Sequence, residues 1–140
     1  MLERSHLLSL GVSDTQGPWV ADVIFIHDEN LNLHWISDPD TRHSRAILES
    51  GRVAGSVTQS VGRGAMNLGI QFEGTAERVD GFQFPLLVRH LVKRGHKAPA
   101  PEEAAMILDG DIWYRCVPTA MFLIDEEHFG FERQAVPLKP

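Results

Sequence analysis

The sequence predicts a mainly β protein: a small antiparallel barrel of about six strands with helices on its rim. Three observations carry that expectation. Short runs rich in Val, Ile, Leu and aromatics recur along the chain, several with a period of two. Turn residues separate these runs at intervals too short for the crossover helices of a doubly wound parallel sheet. Helical periodicity is confined to a few short segments.

Taken in order, Ser5–Leu10 reads as a first strand and Ser13–Pro18, with Asp14 and Gly17, as a turn. Trp19–Ile26 reads as a second strand. His27–Asn30 is polar and turn-like. Leu31, Leu33 and Trp35 then alternate with Asn32, His34 and Ile36, which predicts a half-buried third strand. Ser37-Asp38-Pro39-Asp40-Thr41 is a helix-start signal, so a helix is expected over Thr41–Glu49, ending before Gly51. Arg52–Gln59 and Leu68–Val79 read as strands joined by a hairpin loop over Val61–Asn67, which holds two glycines. In Phe82–Arg94 the period changes. Phe84, Leu87, Val88 and Leu91 form a helical stripe with Arg89 and Lys93 opposite, Pro85 in the first turn and Gly95 as the C-terminal cap. A linker, His96–Pro101, leads to a short helix, Pro101–Leu108, with Glu102 and Glu103 in its first turn. Asp111–Ile124 reads as a long strand broken by Pro118, and Phe129–Val136 as a last short strand.

The 140 residues suffice for one domain, expected to span positions 1–140. Apolar residues make up 43% and charged residues 23%, enough for a core and inconsistent with general disorder. The net charge of −6 argues against non-specific nucleic-acid binding, which needs a basic surface. No run reaches the length of a membrane-spanning helix, so no membrane partner is expected, and no signal peptide is visible. The single cysteine, Cys116, forms no internal disulfide, and a reducing, cytoplasmic setting is the expectation. Cys116 itself reads as a small core residue. Trp19, Trp35 and Trp113 read as packing residues in the core or at a subunit interface.

The chemistry concentrates at the predicted start of the first helix. Free amides at a helix N-terminus attract anions, and cations there are ordinarily unfavourable. Yet Arg42 and His43 occupy that first turn, with Arg45 following. An anion, most simply a phosphate, would account for them, with Ser37 and Thr41 adding hydroxyl donors and Arg42 a bidentate contact. The alternative is that Arg42 and Arg45 pair with Asp38, Asp40 or Glu49. No two of the seven histidines have the HxH, HxxxH or HExxH spacing of a metal site, so no dedicated metal site is expected. Gly62-Arg63-Gly64 lacks the strand–turn–helix context of a phosphate loop.

Thr41-Arg42-His43-Ser44-Arg45-Ala46-Ile47, then Gly51-Arg52-Val53-Ala54-Gly55-Ser56-Val57, then Gly69-Ile70-Gln71-Phe72-Glu73-Gly74-Thr75-Ala76-Glu77 follow one another in the order that resembles the pyridoxamine 5′-phosphate oxidase-like, FMN-binding split-barrel proteins. Gly17-Pro18-Trp19-Val20 and Tyr114-Arg115-Cys116-Val117-Pro118 extend the resemblance over nearly the whole chain. The resemblance implies a six-stranded split barrel, a homodimer, and FMN in a cleft between subunits. It carries the family's phosphate-holding Arg-Lys pair onto Arg42 and His43, and its strand-end hydroxyl onto Ser37. The backbone stretch along the flavin ring falls on Asp22, Val23, Ile24 and Phe25. A flavin-contacting Gln falls by spacing on Gly69, with Gln71 nearby, and a pocket Arg corresponds to Arg133. His43 in place of Lys is charged only below about pH 6.5 when unperturbed. The C-terminal segment that recognises pyridoxamine phosphate is not evident, so that activity is not carried over. The expectation is an FMN-dependent oxidoreductase of unknown substrate. A non-catalytic flavin- or haem-binding module of the same fold is the alternative. A haem would draw its axial ligand from His27, His34, His90, His96 or His128.

Overall fold

A computed structural model of the chain describes residues 1–59, 62–81 and 83–140, with Ala105 in backbone only. After a short 3-10 turn at Leu2–Arg4, the order is β1 (Leu7–Asp14), β2 (Gly17–His27), β3 (Leu33–Ser37), α1 (Arg42–Ser50), β4 (Arg52–Thr58) and β5 (Leu68–Val79). There follow α2 (Phe84–Lys93), α3 (Pro101–Leu108), β6 (Ile112–Asp125), α4 (Glu126–Phe129) and β7 (Gln134–Ala135). The sheet runs β3-β2-β1-β4-β5-β6-β7, and β3 also pairs with β6. Six antiparallel strands therefore close on themselves and leave only the short β7 outside the ring. Closure removes the exposed edges that a flat sheet this small would carry.

The first hairpin is tighter than the sequence suggests. β1 runs on to Asp14, opposite Gly17, and Asp14 Oδ1 accepts the Gln16 N–H at 2.8 Å. The strand β6 is not broken at Pro118. Its register against β5 slips between Glu73 and Gly74, and this bulge leaves Thr119 without a cross-strand partner while Pro118 sits opposite Gly74. Of the expected last strand only Gln134–Ala135 forms, because Asp125 caps a helical turn at Glu126–Phe129 through the His128 N–H. Val61 of the expected hairpin loop and Phe82 of the expected second helix lie outside the described residues.

Alternation fills the barrel. Leu8, Leu10, Phe25, Leu33, Trp35, Val57, Phe72 and Tyr114 are buried within it, and Trp35 stacks on Tyr114 at 6.0 Å between ring centroids. Ala46 and Ile47 of α1 close one end. Strand β4 runs close to both neighbours, and a Cβ at Gly55 would lie 2.5 Å from the Ser9 carbonyl oxygen of β1 and 2.7 Å from the Phe72 ring of β5. Cys116 is buried in this core, as expected of it, and burial pushes its thiol up to about 12.

A second apolar cluster lies outside the barrel wall. Ile26 and Trp113 pack there against Leu87 of α2 and Ala104 and Leu108 of α3. This layer explains one departure from expectation: β3 is covered on both faces rather than half-buried. His34, expected to point to solvent, is buried, and its Nε2 lies 3.0 Å from Asp28 Oδ2. Arg89 and Lys93, opposite the apolar stripe of α2, pin the helix to β2. Arg89 donates to the His27 carbonyl, and Lys93 to the carbonyls of Leu2 (3.0 Å) and Phe25 (3.2 Å).

Candidate functional site

The pairing of β2 with β3 stops early. β3 opposes β2 only over Phe25–His27, while Ile36 and Ser37 continue alongside Trp113 and Ile112 of β6. Residues Asp22–Ile24 are paired with Ser9–Leu7 of β1 on one side, and on the other side no strand faces them among the described residues. The two strands part like the blades of scissors, leaving an unpaired main-chain edge on β2. Such an edge is a ready set of hydrogen-bonding groups. Into the gap opens a cleft of about 330 Å³. Asp22, Val23 and Ile24 form one lip, Ile36 and Ser37 the other, His43 one end, and α2, α3 and the turn after α3 close it with Leu87, His90, Leu91, Arg94, Ile107, Leu108 and Asp111. It is small, its lining is apolar and polar in about equal measure, and its charged groups are Asp22, Asp111 and Arg94.

The helix start behaves as its sequence indicates. Thr41 caps α1 and accepts the Ser44 N–H at 3.3 Å, and Gly51 ends it at φ 70°. His43 turns into the cleft, where its Nε2 lies 3.0 Å from Ser37 Oγ and 3.4 Å from Thr41 Oγ1. Burial lowers its pKa, so it meets the cleft as a neutral imidazole at pH 7. Arg42 turns the other way. Its Nε and Nη2 donate to Asp14 at 2.9 and 3.1 Å, and its guanidinium stacks over the Trp19 ring at 4.6 Å. The Arg42 bond holds the Asp14 carboxyl below its usual range. The partner of Arg42 is thus a distant hairpin carboxylate, and not Asp38, Asp40 or Glu49.

The residues that the resemblance singles out fall into two groups. Asp22, Val23, Ile24, Ser37 and His43 come together in the cleft, with Thr41 behind His43. Phe25 does not join them: its side chain is in the core, its N–H donates to His6 and its carbonyl accepts from Lys93. Gln71 and Arg133 form a second group on the outer face of β5 and β6. Gln71 stands opposite Phe122, and Arg133 stacks over the Phe122 ring at 4.2 Å. Gly69 cannot give way to a larger residue without a backbone shift, since a Cβ there would lie 2.6 Å from the Val57 carbonyl oxygen. A larger open groove, of about 700 Å³ across β1, β4 and β5, contains none of these residues.

The sequence pointed to His90 only as one of five candidate haem ligands and to no role in a site for Arg94 or Asp111, yet all three line the cleft. His90 lies three positions after Leu87, on the same buried face of α2, a spacing that could have revealed it. It is 5% exposed, and its Nδ1 is buried without a hydrogen-bond partner. An orphaned group of this kind costs about 1–3 kcal/mol. Its ring meets Trp113 edge-on at 5.8 Å. Burial, with Arg94, Lys93 and His96 assisting, lowers its pKa to about 4. Arg94, which ends α2, brings a permanent positive charge to the rim. Of the other histidines, His27 lies 3.7 Å from Glu3, His34 is held by Asp28, and the exposed His128 pairs with Asp125. No cluster of three His, Cys, Asp or Glu suited to a metal occurs among the described residues, and no described helix is long and apolar enough to cross a membrane.

No known family model matches the chain. Over 94 residues it is 29% identical to a UPF0306 protein of Klebsiella pneumoniae, an alignment that covers 66% of this chain and 64% of the relative's length. The fold is shared more widely. The conserved hypothetical protein Rv2991 of Mycobacterium tuberculosis superposes with a TM-score of 0.78 at 14% identity, over 96% of this chain and 86% of that one. A candidate pyridoxamine 5′-phosphate oxidase of Listeria innocua gives 0.65 at 14%, covering 88% and 91%. HutZ, the haem storage protein of Vibrio cholerae, gives 0.62 at 18%, covering 86% and 89%. The chain has the split-barrel fold that flavin-type enzymes and haem-binding proteins share.

Proposed function

We propose that the chain is an FMN-dependent oxidoreductase of the pyridoxamine 5′-phosphate oxidase-like type, with the flavin in the β2–β3 cleft. The observation that carries this reading is the unpaired main-chain edge at Asp22–Ile24, set in a cleft of mixed apolar and polar lining with Ser37 and His43 at its end. A flavin ring has apolar faces and a hydrogen-bonding edge, and these walls suit both. When bound, FMN supplies hydride and electron transfer. The protein's part is to bind and orient it. The β2 edge meets the ring, while Ser37 and His43 donate to the phosphate. His43 is neutral, so the lasting positive charge comes from Arg94 on the rim and from Arg42 once an incoming phosphate draws it from Asp14.

A homodimer completes the site in this reading. Gln71 and Arg133 stand outside the cleft of their own chain, on a face that a second copy could present to it. The buried thiol of Cys116 suits a reducing, cytoplasmic setting. Anaerobic reduction of the bound flavin by NADH or NADPH, followed by its bleaching and recovery in air, tests the oxidoreductase reading. Bound flavin that no donor reduces contradicts it. Light scattering at micromolar concentration is expected to give twice the 15.6 kDa chain mass, and a monomer contradicts the shared site.

Haem is the second reading, and one observation favours it. Of the five histidines considered as axial ligands, His90 lines the cleft and is neutral at physiological pH. A Soret band in the purified protein, lost in His90→Ala, would move the assignment to haem.

A further inference from the structure

The two cleft histidines differ in one respect. His43 is satisfied by Ser37 and Thr41, whereas the Nδ1 of His90 has no partner although the residue is 95% buried. Nothing in the packing of α2 requires a polar ring there. Leu87, Leu91 and Trp113 beside it are apolar, and the charged groups near it, Arg94 and Lys93, make no hydrogen bond to its Nδ1. A half-turn of the imidazole about its Cβ–Cγ bond leaves the ring plane, and so the edge contact with Trp113, unchanged. It breaks no hydrogen bond at Nδ1, because none is made there. The half-turn exchanges Nδ1 with Cδ2, so Nδ1 has two positions in the ring plane, and in the present one no protein partner holds it. A neutral imidazole offers one donor and one acceptor, which is what the heteroatom edge of a planar ring can use.

We propose that His90 is a ligand contact: its imidazole hydrogen-bonds the edge of the planar heteroaromatic ring held in the β2–β3 cleft and fastens α2 over that ring. The inference rests on the flavin reading and adds to it a residue on α2, the helix that closes the cleft. The ring is then gripped from two sides, by main chain from β2 and by one side chain from α2. The phosphate end, at Ser37 and His43, is independent of this contact.

The test follows the imidazole signals of 15N-labelled protein by NMR while FMN, and separately riboflavin, is added, with His90→Phe and His90→Gln as variants. The His90 nitrogen signals are expected to move with either ligand. His90→Phe is expected to bind FMN and riboflavin about tenfold more weakly, by the same factor for both, since the lost bond is to the ring. Its melting temperature should not fall, because the variant removes an orphaned group. His90→Gln, which keeps a donor and an acceptor, should recover part of the affinity. FMN that binds while the His90 signals stay still, or that binds His90→Phe as tightly as wild type, overturns the role of His90 and leaves the flavin reading intact. Wild-type protein that binds neither ligand overturns both.

Discussion

The two long walls of this barrel are built from the same kinds of residue and end differently. β5 and β6 stay paired from Leu68–Asp125 to Val79–Trp113 and absorb an extra residue in a bulge. β2 and β3 stay paired for three residues and then part. On the first wall the two strands stay paired with each other along their whole shared length. On the second, three residues keep one edge free beside apolar side chains from two helices. The contrast shows how a closed sheet makes a binding site without a special loop: it stops one strand pair early and roofs the gap. The first wall should therefore govern stability and the second, ligand binding.

The sharpest way to break that division is on the closed wall. Phe72→Ala empties a core position that is 4% exposed and should cost about 3–5 kcal/mol in urea unfolding. A loss under about 1 kcal/mol would mean that the wall is not the core assumed here.

Acid should act on the roofed gap next. His90 is neutral in the folded protein, with a pKa lowered from 6.5 to about 4, so the unfolded chain holds the extra proton between these values. The stabilising contribution is complete above about pH 6.5 and is lost as the pH falls toward 4, up to about 3 kcal/mol. His43 and His27 are shifted the same way by burial and add to the slope, whereas Asp14 and Asp28 lose their contributions only below about 3.8. His90→Phe should flatten the stability profile over the histidine window. An unchanged profile would mean that His90 is not buried as described.

Arg42 sharpens the comparison from outside both walls. Arg42→Ala should weaken FMN binding by roughly 10- to 100-fold, the loss of a charged hydrogen bond. Asp14→Asn should do the reverse and tighten binding severalfold, because it frees the guanidinium. If calorimetric titration shows neither change, Arg42 is a structural clasp between the first hairpin and α1. Gln71→Ala, on the exposed face of β5, should alter stability by less than about 0.5 kcal/mol. It should nonetheless weaken flavin binding if a second copy presents that face to the cleft. Unaltered affinity would leave the cleft as a one-chain site.

The sequence showed the closed wall better than the open one, for physical reasons. The strand over Leu68–Val79 depends only on which side chains share a face, and the structure has the expected bounds with Ile70 and Phe72 buried. Thr41 and Gly51 act through adjacent residues, so the bounds of α1 were legible to within a residue. The cleft depends on where β3 leaves β2, a matter of pairing between segments that no local pattern records. Arg42 was readable as a cation in need of an anion, but its partner Asp14 lies 28 positions away on another hairpin. β3 reads as half-buried in the sequence because the layer packed outside its neighbours Ile26 and Trp113 comes from helices far later in the chain. His90 was in view on the buried face of α2, and its importance came only from the lack of a partner for Nδ1.

The central claim is that the gap between β2 and β3 holds a flavin. The most direct measurement is the visible absorption spectrum of freshly purified, untagged protein, before and after FMN is added and the excess removed by desalting. A flavin spectrum retained at one equivalent per chain is the expected result. A protein that retains no flavin would contradict the claim, leaving a split barrel whose cleft serves another ligand.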